Sequence, residues 1–378
     1  MALQAQLNEL LDRAVSDGIL AGGSVLVLRN GAELAYTQAG KATEELPFRR
    51  DTICRIYSMT KPVTAAAAMI LVQRGQLDPG QWVSDILPEF ADVKVWENGK
   101  LVRPKRAVLV KDLLNMTSGI PYPGEDDAGR EAAKVFASAC NGTMTTRQLA
   151  QGLANGGLSF HPGQQWMYGA SADVLGAVIE AVSGIPFGQF LRKEIFEPLG
   201  MVDTGFYVEK EKRSRLADIY ESTPDGVKKF YTDNLAIQCD MAHAPAFESG
   251  GAGLCSTIDD YAKFANMLQS GGGEILKPET VAYMTRGKLL PWQQDSLWHS
   301  WESMFGYDYS NLMRVLQEPG MAHHMGWKGE YGWDGWLGTY FCNSPENGVT
   351  VLLFCQKKDA GTMPITRMIR NVITANLD

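Results

Sequence analysis

The sequence has no apolar run near the roughly 18 residues that a membrane-crossing helix needs; its longest, about Ala65 to Val72, is under half that length. No cluster of Lys and Arg stands out either. With 35 basic against 43 acidic residues and a net charge of −8, nucleic acid is not an expected partner. No CxxC spacing links the six cysteines (Cys54, Cys140, Cys239, Cys255, Cys342 and Cys355), and the opening MALQAQLNELLDRAVSDG reads as an amphipathic helix without the basic and apolar regions of an export signal. Reduced, mostly buried thiols and a cytoplasmic location are therefore expected. The absence of G-x-S-x-G excludes the nucleophile elbow of α/β hydrolases. No His-x-x-x-His spacing supports zinc. The adjacent pair His323–His324 cannot chelate one metal from opposite sides of a strand, so both read as surface or pocket polar residues. Phosphate-cradling loops are missing too, and GGAG at 250–253 reads as a tight packing turn. What remains is ordinary globular composition: 45% hydrophobic and 21% charged over 378 residues. That supports a real core in two to three units of roughly 150 residues, or one large domain with an insertion.

The pattern along the chain is strand-like at both ends and helical between. A helix is expected from about Gln4 to Asp17. Strands then follow at Gly23–Arg29 and Glu33–Ala39, joined by the hairpin signal Asn30-Gly31. Thr60–Arg74 has strong helical propensity, and Pro62 is acceptable only in a first turn, so that helix must begin close to Ser58. From Leu77 to Ala244, helical stretches (Val110–Asn115, Thr146–Asn155, Ala172–Ser183) alternate with Gly/Pro loops and show no convincing strand alternation. A helix at about Thr257–Ser270 follows. Strands return at Phe305–Leu312, Gly335–Asn343 and Val349–Gln356, and a helix at about Met363–Asn376 closes the chain. The reading is an α/β (α+β) fold with one antiparallel sheet completed by both termini and flanked by helices. Residues 1–76 and 245–378 form the sheet unit and 77–244 a mainly helical insertion, with the active site expected in the cleft between them. The aromatic-rich stretch from Thr285 to Gly332 lacks a clear period and reads as a functional loop.

The sharpest chemical signal is Ser58-Met59-Thr60-Lys61, the only S-x-x-K in the sequence. At a helix start, residues i and i+3 share a face, so the serine hydroxyl and lysine amine can meet. Burial depresses a lysine's pKa until it can accept the serine proton, and a backbone N–H at a helix N-terminus can stabilise an oxyanion. Read alone, the same four residues are a helix cap followed by a solvated lysine.

Context changes that balance. RIYSMTKPVTAAAAMILVQRGQLDP resembles the opening of the serine β-lactamase and penicillin-recognising superfamily, most like family VIII carboxylesterases and class C β-lactamases. KDLLNMTSGIPY (111–122), PGQQWMYGASADVLGAVIEAVSG (162–184), GGAGLCSTIDDYAKFANML (250–268) and YGWDGWLGTYFCNSPENGVTVLLFCQ (331–356) resemble further segments of that group in order, over nearly the whole chain. The resemblance implies a β-lactamase/transpeptidase-like fold with Ser58 as the acylated nucleophile, Lys61 as its base, and Tyr168 as a phenolate or hydrogen-bond relay made possible by the neighbouring lysine cation.

Two departures bear on the substrate. The third motif reads Trp333-Asp334-Gly335, resembling the Trp-Gly-Gly form of family VIII esterases rather than Lys-Thr-Gly, so a β-lactam carboxylate loses its cationic partner. By position, the Trp336 N–H is the candidate second oxyanion donor, with a neighbouring residue as the alternative. Asp334 reads as a solvated turn carboxylate or as a contact to a cationic or hydroxylic substrate group. In the second motif the family's Tyr-x-Asn asparagine is replaced by Ala170, and Ser171 lies on a different face. Six of nine tryptophans (Trp292, Trp298, Trp301, Trp327, Trp333 and Trp336) fall between 292 and 336, and part of that set is expected to form an aromatic wall for a bulky or aromatic small-molecule ester. The resemblance implies ester cleavage through a Ser58 acyl-enzyme, with no metal or organic cofactor. The alternatives are acyl transfer to another acceptor, a D-amino acid amidase or peptidase, weak β-lactamase activity, or a silent binding protein on the same fold.

Overall fold

The computed structural model describes residues 2–287 and 289–377. Seven strands form the main sheet: β1 (Gly22–Arg29), β2 (Ala32–Gly40), β3 (Tyr307–Ser310), β4 (Met313–Leu316), β5 (Tyr331–Asp334), β6 (Tyr340–Ser344) and β7 (Val349–Cys355). Their spatial order is β2-β1-β7-β6-β5-β4-β3, each neighbouring pair antiparallel. The N-terminal hairpin thus docks on the last strand of the chain, with Val25 opposite Leu353. Asn30 and Gly31 turn that hairpin with positive φ of 52° and 78°, the geometry their sequence signals.

Both faces of the sheet are covered. Val25, Val27, Val351 and Leu353 point to one side, against α1 (Leu3–Ser16) and the C-terminal helix Pro364–Ala375. Leu26, Leu28, Leu352 and Phe354 point to the other, into the larger core that contains α2 (Thr60–Gln73). Two-sided burial explains why VLVL and VTVLLFC read as continuous apolar runs without polar alternation. Every residue of α2 from Thr60 to Leu71 is buried, as befits a helix apolar all round. Its alanines allow close approach to α3 (Ser171–Ser183).

Three strand expectations change. The run Phe305–Leu312 is not one strand: Asn311 and Leu312 adopt positive φ (47° and 62°) and turn the chain from β3 into β4. The stretch 335–339 is a turn between β5 and β6 rather than strand, closed by the Gly335 N–H donating to the Thr339 carbonyl. Within 77–244, Ile219–Thr223 pairs with Gly226–Phe230 and Val95–Glu97 with Lys100–Val102, so that block is not free of strands. The segment between 285 and 332 includes the helix Pro291–Ser300 as well as β3 and β4. All six cysteines are free thiols, with Cys140 exposed and the others buried. No single helix among the described residues is long and apolar enough to cross a membrane.

Candidate active site

Between Thr52 and Leu71 every residue is buried except Ser58. A short strand, Cys54–Arg55, pairs with Cys255–Ser256, and the chain then enters a single 3-10 turn at Tyr57–Met59 that runs directly into α2. Tyr57, a bulky residue at φ 41°, sets the direction of Ser58 from a backbone region such side chains rarely adopt. Its ring is held edge-on against Trp336, with centroids 5.0 Å apart.

Ser58 Oγ lies 3.1 Å from Lys61 Nζ and 2.6 Å from the Tyr168 hydroxyl. Lys61 is fully buried, and its Nζ also reaches the Gly251 carbonyl at 2.8 Å and the Tyr122 hydroxyl at 3.1 Å. Burial pushes its pKa down to about 7, opposed by the charges of Asp173 and Asp334. A neutral amine has two N–H groups and one lone pair. Gly251 and Tyr122 take the two donors, which leaves the lone pair for the serine proton. Tyr168 keeps its proton at rest: burial raises its pKa above the ordinary tyrosine value, beyond what the hydrogen bonds with Ser58 and Trp333 recover. Tyr168 donates to Ser58 Oγ and accepts from Trp333 Nε1 at 3.3 Å.

The third-motif residues have separate uses. Trp333, 1% exposed, stacks on Tyr168 with centroids 5.7 Å apart. Asp334 is neither a solvated carboxylate nor open to a substrate cation: it pairs with Arg314 Nη1 at 2.6 Å and accepts from Thr362 Oγ1. A side-chain carbon on Gly335 would fall 2.3 Å from the Ile56 carbonyl oxygen, so only glycine lets this turn approach the segment ahead of Ser58. The Gly335 N–H is consumed by Thr339, which removes it as an oxyanion donor. Neither the Ser58 nor the Trp336 N–H donates to an acceptor among the described residues. The Trp336 indole N–H binds Asp359 at 2.6 Å.

Of the six clustered tryptophans, Trp301 and Trp333 touch Tyr168; Trp301 is 38% exposed with its ring centroid 4.9 Å from that of Tyr168. Trp298 is not part of that wall. Its indole N–H is tied to the Tyr307 carbonyl at 2.8 Å and its ring meets Phe305. Trp166, outside the cluster in sequence, is buried behind them, packed against Trp301 and Tyr168. His324 hydrogen-bonds Tyr307 and the Met325 carbonyl, and His323 lies on the surface 3.9 Å from Glu302. The Ser171 hydroxyl faces Ser118 in the interior, 2.8 Å away. No group of three or more His, Cys, Asp or Glu that could hold a metal ion occurs among the described residues.

Sequence reasoning missed Tyr122 and the Gly251 carbonyl. Tyr122 ends the segment KDLLNMTSGIPY and Gly251 is the second residue of GGAG, two segments to which no catalytic role had been given. The four polar contacts of this centre come from α2, the loop ending at Tyr122, the loop before α3, and the 249–253 turn.

Comparison with known proteins gives the family and the fold. The Beta-lactamase family profile matches residues 7–371. Esterase EstB of Burkholderia gladioli is 30% identical, over 99% of this chain and 96% of its own. EstCE1, described as a hydrolase with promiscuous acyltransferase activity, superposes with a TM-score of 0.84 at 26% identity, covering 98% of each chain. The unliganded simvastatin synthase LovD of Aspergillus terreus, in its selenomethionyl form, shares the fold with a TM-score of 0.85 at 23% identity, over 99% of this chain and 98% of that one.

Proposed function

The chain belongs to the Beta-lactamase family, and from that premise we propose that it is a serine hydrolase that cleaves small-molecule carboxylic esters through an acyl-enzyme on Ser58. The observation that carries the reading is the placement of Ser58 Oγ between a buried amine at 3.1 Å and a protonated phenol at 2.6 Å. Lys61 takes the Ser58 proton as Oγ attacks the ester carbonyl. The oxyanion is received by the unengaged N–H groups of Ser58 and Trp336. Tyr168, beside Oγ, hands its proton to the departing alkoxide and regains one as water enters, and that water then releases the acid. Tyr122 and the Gly251 carbonyl keep the amine aimed at Oγ throughout.

Esters are favoured over β-lactams because Arg314, the cation beside the third motif, is occupied by Asp334 and does not supply the partner a substrate carboxylate needs. Acyl transfer to an alcohol is the second reading, favoured by the likeness to EstCE1 and by the exposed apolar ring of Trp301 beside Tyr168, which can keep water from the acyl group.

Hydrolysis of p-nitrophenyl esters from acetate to long acyl chains, beside a chromogenic cephalosporin and with Ser58→Ala as control, tests the proposal. Ester turnover lost in Ser58→Ala, with little cephalosporin cleavage, is the expected result. Rapid cephalosporin cleavage, or ester turnover that survives the substitution, would overturn it. Faster p-nitrophenol release with added alcohol, together with the transesterified product, would favour the second reading.

A further inference from the structure

Asp173 occupies the first turn of α3, where an acidic residue is ordinarily explained by the helix dipole. Its carboxylate does something else. The residue is 1% exposed, and Oδ1 accepts from the Ser249 hydroxyl at 2.5 Å and from the Gly251 N–H at 3.0 Å, two groups on a turn far away in sequence. Oδ2 is buried on the side of the Tyr122 hydroxyl. A buried carboxylate is costly unless a positive charge lies close, and Lys61 is the cation that acts on Asp173. The Gly251 peptide links the two: its N–H is on Asp173 and its carbonyl on Lys61 Nζ. A side-chain carbon at Gly251 would come within 2.5 Å of the Tyr122 hydroxyl and 2.8 Å of Asp173 Oδ2, so turn, phenol and carboxylate close tightly over this glycine.

We propose that Asp173 is a positioning residue: by holding the Ser249–Gly251 turn it places the Gly251 carbonyl on the Lys61 amine and so aims that amine at Ser58. The inference rests on the reading of Lys61 as the base for Ser58. The groups facing Asp173 are Ser249 and Gly251 from the turn, Tyr122 from its loop and Lys61 from α2; those facing Lys61 are Ser58, Tyr122, Tyr168, the Gly251 carbonyl and, through charge alone, Asp173 and Asp334.

Asp173→Asn keeps an oxygen for the turn and removes the charge. In protein labelled with ¹³C-lysine, the Lys61 signal is identified by its loss in Lys61→Met and followed through a pH titration. Its midpoint is expected to fall by about one unit in Asp173→Asn, because the charge that favours the protonated amine is gone. The acidic limb of kcat/KM on a p-nitrophenyl ester should move to lower pH with it. Ser249→Ala, which loosens the turn and leaves the charge, is expected to lower kcat about tenfold with KM changed less than about twofold. A kcat in Ser249→Ala within about twofold of the unsubstituted protein's, or a Lys61 midpoint unmoved in Asp173→Asn, would overturn the proposal and leave Asp173 as scaffold. A midpoint that moves in a protein cleaving no ester would show Asp173 acting on the amine while refuting the esterase reading.

Discussion

Lys61 and Arg314 are two buried cations on either side of one ring pair: Lys61 Nζ lies 4.5 Å from the centre of Tyr168, Arg314 Cζ 5.4 Å from that of Trp333, and the two rings stack. Their polar surroundings are opposite. Arg314 has a direct carboxylate partner in Asp334, a hydroxyl from Thr362, and the rings of Tyr307 and Tyr340, and its pKa is held above its ordinary value by the Asp334 charge despite burial. Lys61 touches only neutral oxygens, those of Ser58, Tyr122 and Gly251, with its acids acting from further off, and burial brings it down to about 7. One cation is fixed in charge and fastens β4 to β5. The other is left able to gain or lose a proton beside a hydroxyl. The difference separates a structural charge from a chemical one in the same core, and it comes from the partner supplied rather than from depth of burial.

Substituting each cation by methionine breaks the comparison most sharply. Lys61→Met is expected to lower kcat about 10⁴-fold, as loss of a catalytic-unit member does. Its melting temperature should not fall, because a costly buried amine is replaced by an apolar chain; a large loss of Tm would contradict the contrast drawn here. Arg314→Met strands the Asp334 carboxylate and should cost about 3–5 kcal/mol in urea unfolding, with most of it regained in Arg314→Met/Asp334→Leu. A loss below about 1 kcal/mol would show that the pair is not the fastening described.

The pH dependence sharpens the same point. Lys61 must be neutral to accept the Ser58 proton, so kcat/KM should fall about tenfold per pH unit below about 7 and stay level above it until another group titrates. The stability linkage has a matching sign. The unfolded lysine holds its proton up to about 10.5 and the folded one only to about 7, so between those values the unfolded chain binds more protons and stability rises with pH. An acidic limb displaced well above 7 would mean that Lys61 is a permanent cation like Arg314. The smallest effect concerns the rim. Trp301→Ala should shift the preference between short and bulky acyl groups by about tenfold, whereas Trp298→Ala should leave the preference as it was; equal shifts in both would enlarge the wall beyond Trp301.

The difference between the two cations also marks how far the sequence could be read. Ser58 and Lys61 are three residues apart on one helix turn, and Tyr168 sits in a Pro-Gly…Trp-x-Tyr stretch, so local spacing and resemblance suffice for both. Arg314 meets Asp334 only because β4 and β5 pair with Arg314 opposite Gly332, and that pairing depends on a turn at Asn311-Leu312. A leucine at positive φ carries no turn signal, so the strand read over Phe305–Leu312 ran through this turn and the partner of Asp334 stayed hidden. Tyr122, Asp173 and the Gly251 carbonyl escaped for a related reason. They converge on Lys61 from three distant segments, and one of them is a backbone atom, for which side-chain patterns have no signal. The two-sided burial of β1 and β7, by contrast, was written in their unbroken apolar runs.

The most direct test of the account is the site of acylation. Rapid quenching of the protein with a slowly hydrolysed p-nitrophenyl ester, followed by digestion and tandem mass spectrometry, should place one acyl group on the peptide containing Ser58, and on its hydroxyl. An acyl group on another residue, or turnover with no trapped adduct on Ser58 at any quench time, would contradict it.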